Sequence, residues 1–197
     1  FFFKQKTAYE IRNCDWSSDV CSSDLAAWKS ADLCSRLVKR GARVTVILTE
    51  SAREFIGPAT FEALTGRPVH SQQFRAQEHF QGEHIGLAYR AHLAVVAPAT
   101  ARTLARMAHG LSDDLLSTTL LVCTCPVLAA PAMNCDMWQK PAVQRNVQQL
   151  QQDGVHMIGP CEGWLSCGRT GMGRMAEPAD ILLAMERILS SPAGFGA

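Results

Sequence analysis

The chain has 197 residues, 47% of them hydrophobic and 19% charged, and its 19 Lys and Arg against 18 Asp and Glu leave a formal net charge of +1. That length suits one domain with a full core, and the balance gives neither a basic surplus that would draw nucleic acid nor an acidic tail. No apolar run approaches the ~18–20 residues that span a bilayer, and the eight cysteines show no Cys-x-x-Cys pair and no zinc-like spacing with histidine, so reduced thiols in a cytoplasmic protein are expected.

Residues 1–25 read differently from the rest. Phe1-Phe2-Phe3 leads into a polar string with Asp15-Trp16-Ser17-Ser18-Asp19 and Cys21-Ser22-Ser23-Asp24, in which neither a period of 2 nor one of 3.6 survives. The apolar centre of a signal peptide is lacking. The string resembles translated sequencing-adapter read-through, which sets it apart from the fold; a disordered native tail is the other reading.

From Ala26 the pattern is regular. Residues 26–40 predict a helix with Ala31, Leu33, Cys34, Leu37 and Val38 on one side and Gly41 past its end. Residues 44–48 form a β-branched run, a buried strand ending at Thr49. Ser51 with Glu54 fits a capping box opening a helix to about Leu64, before Gly66. A short helix over 82–91 precedes a strand over 93–97 that Pro98 stops. Helices over 101–109, capped by Gly110, and over 113–121 follow. A third strand over 127–130 stops at Pro131, a long helix runs over 137–153 to Gly154, and a fourth strand covers 155–158. Residues 160–175 hold four glycines and two cysteines, too much backbone entropy for a helix or a central strand, so a sharply bent loop carrying Cys167 is expected. Pro178 opens the last helix.

Apolar strands alternating with helices predict a parallel sheet covered on both faces, with ligands at the carboxyl ends of the strands. Those ends collect the unusual residues. Thr100 and Thr103 fit two readings there, an anion site at a helix start and plain N-capping. Asn134 is either a turn residue or a neutral amide able to donate to a carboxylate. His84 opens a short helix, where a lone histidine is ordinarily a capping or surface residue. Cys167 is the best-placed thiol. The glycine fingerprints of dinucleotide and nucleoside-triphosphate sites are absent from the sequence.

Taken together, Glu83-His84-Ile85, Ala97-Pro98-Ala99-Thr100-Ala101, Pro131-Ala132-Met133-Asn134-x-x-Met137-Trp138 and Ser166-Cys167-Gly168-x-x-Gly171-x-Gly173-Arg174-Met175 resemble the flavin-dependent cysteine decarboxylases. The likeness runs from about Ala26 to Leu189. It lies nearest the branch that acts on 4′-phosphopantothenoylcysteine in coenzyme A biosynthesis, whose members continue into a cysteine ligase domain. The resemblance implies a flavodoxin-like, doubly wound three-layer α/β/α fold over residues 26–190, with 191–197 as linker. It implies FMN as cofactor and a reaction that oxidises, decarboxylates and re-reduces its substrate in one site. His84 then stands at the position of the base or proton relay, Asn134 at that of the carboxylate anchor and Cys167 at that of the proton donor. Thr49, Ala99, Thr100, Ala101, Arg102 and Thr103 would hold the flavin. Ala132, Met133, Asn134, Gly168, Arg174 and Met175 would hold the substrate. The family implies a homo-oligomer, a trimer or dodecamer, with no nucleic acid or membrane partner.

Two departures stand out. The family's Ala-Thr-Ala-Asn-Thr turn carries Arg102 in place of asparagine. The apolar strand and Gly-Ser turn that open the family fold have no counterpart before Ala26-Ala27-Trp28-Lys29, where Ser22-Ser23-Asp24-Leu25 stands instead. Such a strand would lie mid-sheet, so poor folding and weak flavin binding are expected of the chain as written. The alternative functions are a decarboxylase acting on a peptide cysteine and a non-catalytic flavin-fold regulatory subunit. The prenyltransferases of the same fold lack the histidine and the Met-Asn-x-x-Met-Trp string.

Overall fold

The computed structural model describes residues 26–72, 83–165 and 168–191. The elements run α1 Ala27–Lys39, α2 Glu50–Arg53, α3 Pro58–Thr65, α4 Glu83–Arg90, β1 Ala94–Ala99, α5 Ala101–His109, α6 Leu115–Val122, β2 Val127–Pro131, α7 Cys135–Trp138, α8 Pro141–Gln152, β3 His156–Met157, β4 Cys161–Trp164, β5 Thr170–Arg174 and α9 Pro178–Ser190. The strands β1, β2 and β3 lie in that order in a parallel sheet, with Val95 opposite Leu128 and Ala129 opposite Met157.

Both faces of this sheet are buried, as its near-continuous apolar strands require. Leu93, Val95 and Ala97, with Leu128 and Ala130, turn to one face and pack with Leu33, Leu37, Phe61 and Ile181 of α1, α3 and α9. Val96, Ala99, Ala129 and Met133 turn to the other, against Leu104, Val147 and Leu150 of α5 and α8. The period of 2 along β2, and along β1 up to its register shift between Val96 and Ala99, separates two helical layers, giving the expected α/β architecture.

Several boundaries differ from the sequence reading, each for a local reason. Residues 44–48 are buried, and among the described residues they make a single parallel bridge, Ile47 to His70, in place of the expected strand. Thr49, not Ser51, caps α2 by accepting from the Ala52 amide at 3.2 Å, and Gly57-Pro58 divides the expected single helix into α2 and α3. Pro98 does not stop β1; the strand shifts register between Val96 and Ala99 and pairs on to Pro131. Pro141 at a helix start likewise divides the long helix into α7 and α8.

The largest difference is the glycine-rich stretch. It is an antiparallel ribbon, β4 with β5, not an irregular loop. Glycine is poor in a central strand because it has no side chain to pack. This ribbon is outside the main sheet, and its glycines serve close approach to other backbone. Residues 1–25, where the family's first strand would fall, lie outside the described residues.

Candidate active site

The carboxyl ends of β1 and β2 meet the glycine ribbon through the backbone. The Ala132 amide donates to the Ala99 carbonyl at 3.0 Å, and the Met133 amide donates to the Gly173 carbonyl at 2.9 Å. A Cβ at position 173 would stand 2.1 Å from the Met133 carbonyl oxygen, and one at 171 would stand 3.0 Å from the Cys135 Cβ. Only glycine lets β5 come this close. Three separated segments, each named by its motif in the sequence, are therefore held at one sheet edge.

On β1's side of that edge, Thr100 caps α5. Its hydroxyl oxygen accepts from the Thr103 amide at 3.3 Å and lies 3.1 Å from the Thr103 hydroxyl, both side chains being buried. Ala99 is fully buried, Ala101 is half-buried, and Arg102 is the exposed member of the turn. Thr49 lines a cavity of about 410 Å³ with Ile47, Leu48, Glu50, Ser71 and Gln72 on one side and residues 113–116 on the other. That size falls in the ordinary range for small-molecule sites.

On β2's side, Ala132 and Met133 are buried and Asn134 is half-buried at the cap of α7. The Asn134 Oδ1 accepts from the Asp136 amide at 2.7 Å. This cap fixes which way round the amide lies, so its NH₂ group is the end left for another partner. Asp136 in turn meets the Arg169 guanidinium at 2.5 Å, tying the ribbon to α7 a second time. Gly168 is exposed beside Arg169. Arg174 donates to Glu177 at 2.7 Å, and Met175 is buried with its carbonyl accepting from the Lys29 ammonium at 2.9 Å.

His84 is half-buried in the first turn of α4, and its Nδ1 is buried with no hydrogen-bond partner among the described residues. No hydrogen bond among those residues joins His84 to Asn134 or to the Thr100–Thr103 pair. Cys167 lies outside the described residues, so its expected role stands on sequence alone.

Sequence reading missed a group of buried polar side chains around this edge. Lys29 and Ser30 sit on the inward side of α1; Ser30 donates to the Ala97 carbonyl at 2.7 Å, and Lys29 bridges Met175 and Glu177, the latter at 3.0 Å. Their signal was available, since each stands four residues before an apolar core position, Leu33 and Cys34. His70 and Glu83, both buried, meet at 2.6 Å; no periodicity announces a pair so distant in sequence. Another cavity, about 440 Å³, opens at the amino ends of β2 and β3 between Met107, Leu120, Pro126 and Val155. It is on the opposite edge of the sheet and holds none of the motif residues.

A protein-family model described as Flavoprotein matches residues 19–190. The coenzyme A biosynthesis bifunctional protein CoaBC of Bacillus subtilis is 46% identical over 166 residues, covering 84% of this chain and 41% of that protein. Its counterpart in Vibrio cholerae is 43% identical over 169 residues, covering 86% of this chain and 42% of that protein. The chain thus spans about two fifths of the length of these relatives. Among solved structures, a cysteine-to-serine mutant of PPC decarboxylase complexed with pantothenoylaminoethenethiol superposes with a TM-score of 0.79 at 28% identity, covering 93% of this chain and 99% of that one. The FMN-dependent cysteine decarboxylase SpaF gives 0.78 at 29% identity, covering 94% and 99%.

Proposed function

The chain belongs to the Flavoprotein family, and from that premise we propose that it catalyses the FMN-dependent decarboxylation of 4′-phosphopantothenoylcysteine to 4′-phosphopantetheine in coenzyme A biosynthesis. The observation that carries the reading is the junction at the sheet edge. The Ala99 carbonyl, the Met133 amide and Gly173 draw the Ala-Pro-Ala-Thr turn, the Pro-Ala-Met-Asn turn and the Cys-Gly ribbon into backbone contact. Relatives at 42–46% identity named for coenzyme A biosynthesis favour this substrate over a peptide.

The residues present fit FMN. A cavity of suitable size lies beside Thr49, and the buried Nδ1 of His84 makes no hydrogen bond among the described residues. Thr49, the capped start of α5 at Thr100 and Thr103, and the neighbouring Ala99, Ala101 and Arg102 would hold the cofactor. An anion is favoured at such a helix start by its unpaired amides. When bound, FMN supplies the two-electron chemistry that makes loss of the carboxylate easy.

The protein's part is to bind, orient and handle protons. Asn134, its Oδ1 committed to the α7 cap, presents its NH₂ group to the substrate carboxylate. A neutral donor holds that group without the added attraction that would oppose release of carbon dioxide. His84 takes and returns the proton at the cysteinyl end, a task for which histidine is the commonest side chain. Cys167 delivers the last proton. Ala132 and Met133 form an apolar floor, and the ribbon with Gly168, Arg174 and Met175 excludes water from above. Residues 26–190 constitute the working domain, with 191–197 a linker. The enzyme acts as a cytoplasmic homotrimer or dodecamer; Trp164 and Met172, exposed on the outer face of the ribbon, supply apolar surface for a subunit contact.

The test is to reconstitute the purified chain with FMN and to offer it 4′-phosphopantothenoylcysteine and a peptide ending in cysteine. Turnover of the first alone is expected. Turnover of the peptide alone would establish the rival substrate class, and FMN uptake without turnover of either would favour a regulatory role.

A further inference from the structure

His70 and Glu83 are only 2% and 1% exposed, and their Nδ1 and Oε1 atoms stand 2.6 Å apart. A buried glutamate is rare unless it has a partner. The main chain of His70 is fixed as well: its amide donates to the Val46 carbonyl at 2.9 Å and its carbonyl accepts from the Leu48 amide at 2.9 Å. His70 is therefore clipped to the extended segment that ends in Thr49. Glu83 is the first residue of α4 and immediately precedes His84.

We propose that His70 and Glu83 are a positioning pair that sets the direction of the His84 side chain, an inference that rests on the reading of His84 as the proton-handling group. Glu83 and Leu87 are four residues apart and share one face of α4. The Glu83 carboxylate is in close polar contact with His70, at a distance of 2.6 Å but outside hydrogen-bond geometry, and the fully buried Leu87 packs with Ile47, Leu115 and Leu116. Two attachments on one face fix the rotation of a helix about its own axis, and with it the bearing of the adjacent His84. The imidazole has no hydrogen bond of its own at Nδ1 among the described residues, so its placement comes from the helix. Both attachments lead back to residues 46–48, next to Thr49. The pair thus ties the histidine to the cofactor wall in one rigid piece.

The test uses the full chain loaded with FMN. The imidazole NMR signal of His84 is identified by its loss in His84→Asn. In Glu83→Ala and in the His70→Ala/Glu83→Ala double variant, that signal moves or broadens. A misplacement of this kind lowers kcat about 10–100-fold while KM stays within about twofold. Glu83→Gln, which keeps an oxygen acceptor, restores most of both. Leu37→Ala, a core change in α1, lowers stability and leaves the His84 signal in place. An unmoved His84 signal in the folded alanine variants overturns the proposal. If those variants do not fold, Glu83→Asp, one methylene shorter, decides by the same signal: movement supports the pair, and no movement overturns it. Full activity in His84→Asn would sink the catalytic reading alone, because the His84 signal still reports whether the pair positions that side chain.

Discussion

Gly173 and Met133 are in backbone contact closer than any other residue type allows: the Met133 amide donates to the Gly173 carbonyl at 2.9 Å, and a Cβ on residue 173 would stand 2.1 Å from the Met133 carbonyl oxygen. The obstacle is main chain, which cannot swing aside as a side chain would. Gly173→Ala is therefore expected to lift the ribbon from the β2 end and cost about 1–3 kcal/mol, the range for overpacking. Gly168 offers the comparison, with φ of +78° and nothing within 4 Å of its would-be Cβ. Gly168→Ala carries only the left-handed backbone penalty of about 1–2 kcal/mol and keeps the ribbon seated. Urea melts with limited proteolysis of the ribbon separate the two. Equal protection of the ribbon in both variants would contradict the contact's importance.

The second expectation concerns Lys29, whose buried ammonium serves the Met175 carbonyl and Glu177. Lys29→Met retains the stem and removes the charge, leaving a buried carbonyl without its donor at a cost of about 1–3 kcal/mol. Arg174→Ala removes the other partner of Glu177, but that pair is more than two fifths exposed on both sides. Its loss costs less than about 1 kcal/mol, as exposed ion pairs do. Chemical denaturation of the two variants gives the comparison; an Arg174 effect equal to that of Lys29 would refute the ranking.

A third expectation follows from the sheet. Residues 44–48 are buried, yet the described residues give them only the Ile47–His70 bridge. Replacing residues 1–25 with a Val- and Ile-rich strand ending in Gly-Ser should raise the melting temperature and increase FMN retention. A cooperative melt and full FMN loading of the chain as written, with no gain on replacement, would show that no such strand is needed.

The layered architecture could be read from residues because its cause is local and repeated: apolar runs such as 93–97 and 127–130 are buried on both faces, and Gly66 and Gly110 end helices in left-handed conformations. What escaped the sequence depends on distant partners. The ribbon over 160–175 reads as loop because glycine's packing reason, the approach of Met133 and Cys135 to residues 173 and 171, comes from a segment 30 or more residues away. Pro98 reads as a strand terminator, and only the paired register of β2 carries β1 past it. The site motifs were legible as motifs, and the sheet edge joins the Ala99, Met133 and Gly173 segments. The His70–Glu83 pair was not legible, since nothing in either residue's neighbourhood points to the other.

The most direct test of the account is carbon dioxide release from 4′-phosphopantothenoylcysteine by the FMN-loaded chain, compared with His84→Asn, Asn134→Ala and Cys167→Ser. The wild-type chain should release carbon dioxide with turnover; His84→Asn and Cys167→Ser should each lower kcat at least about 100-fold, the scale of a lost general acid–base contribution, and Asn134→Ala should lower it through loss of the hydrogen bond that orients the carboxylate. Release unaffected by His84→Asn and Cys167→Ser together would contradict the assignment of the site.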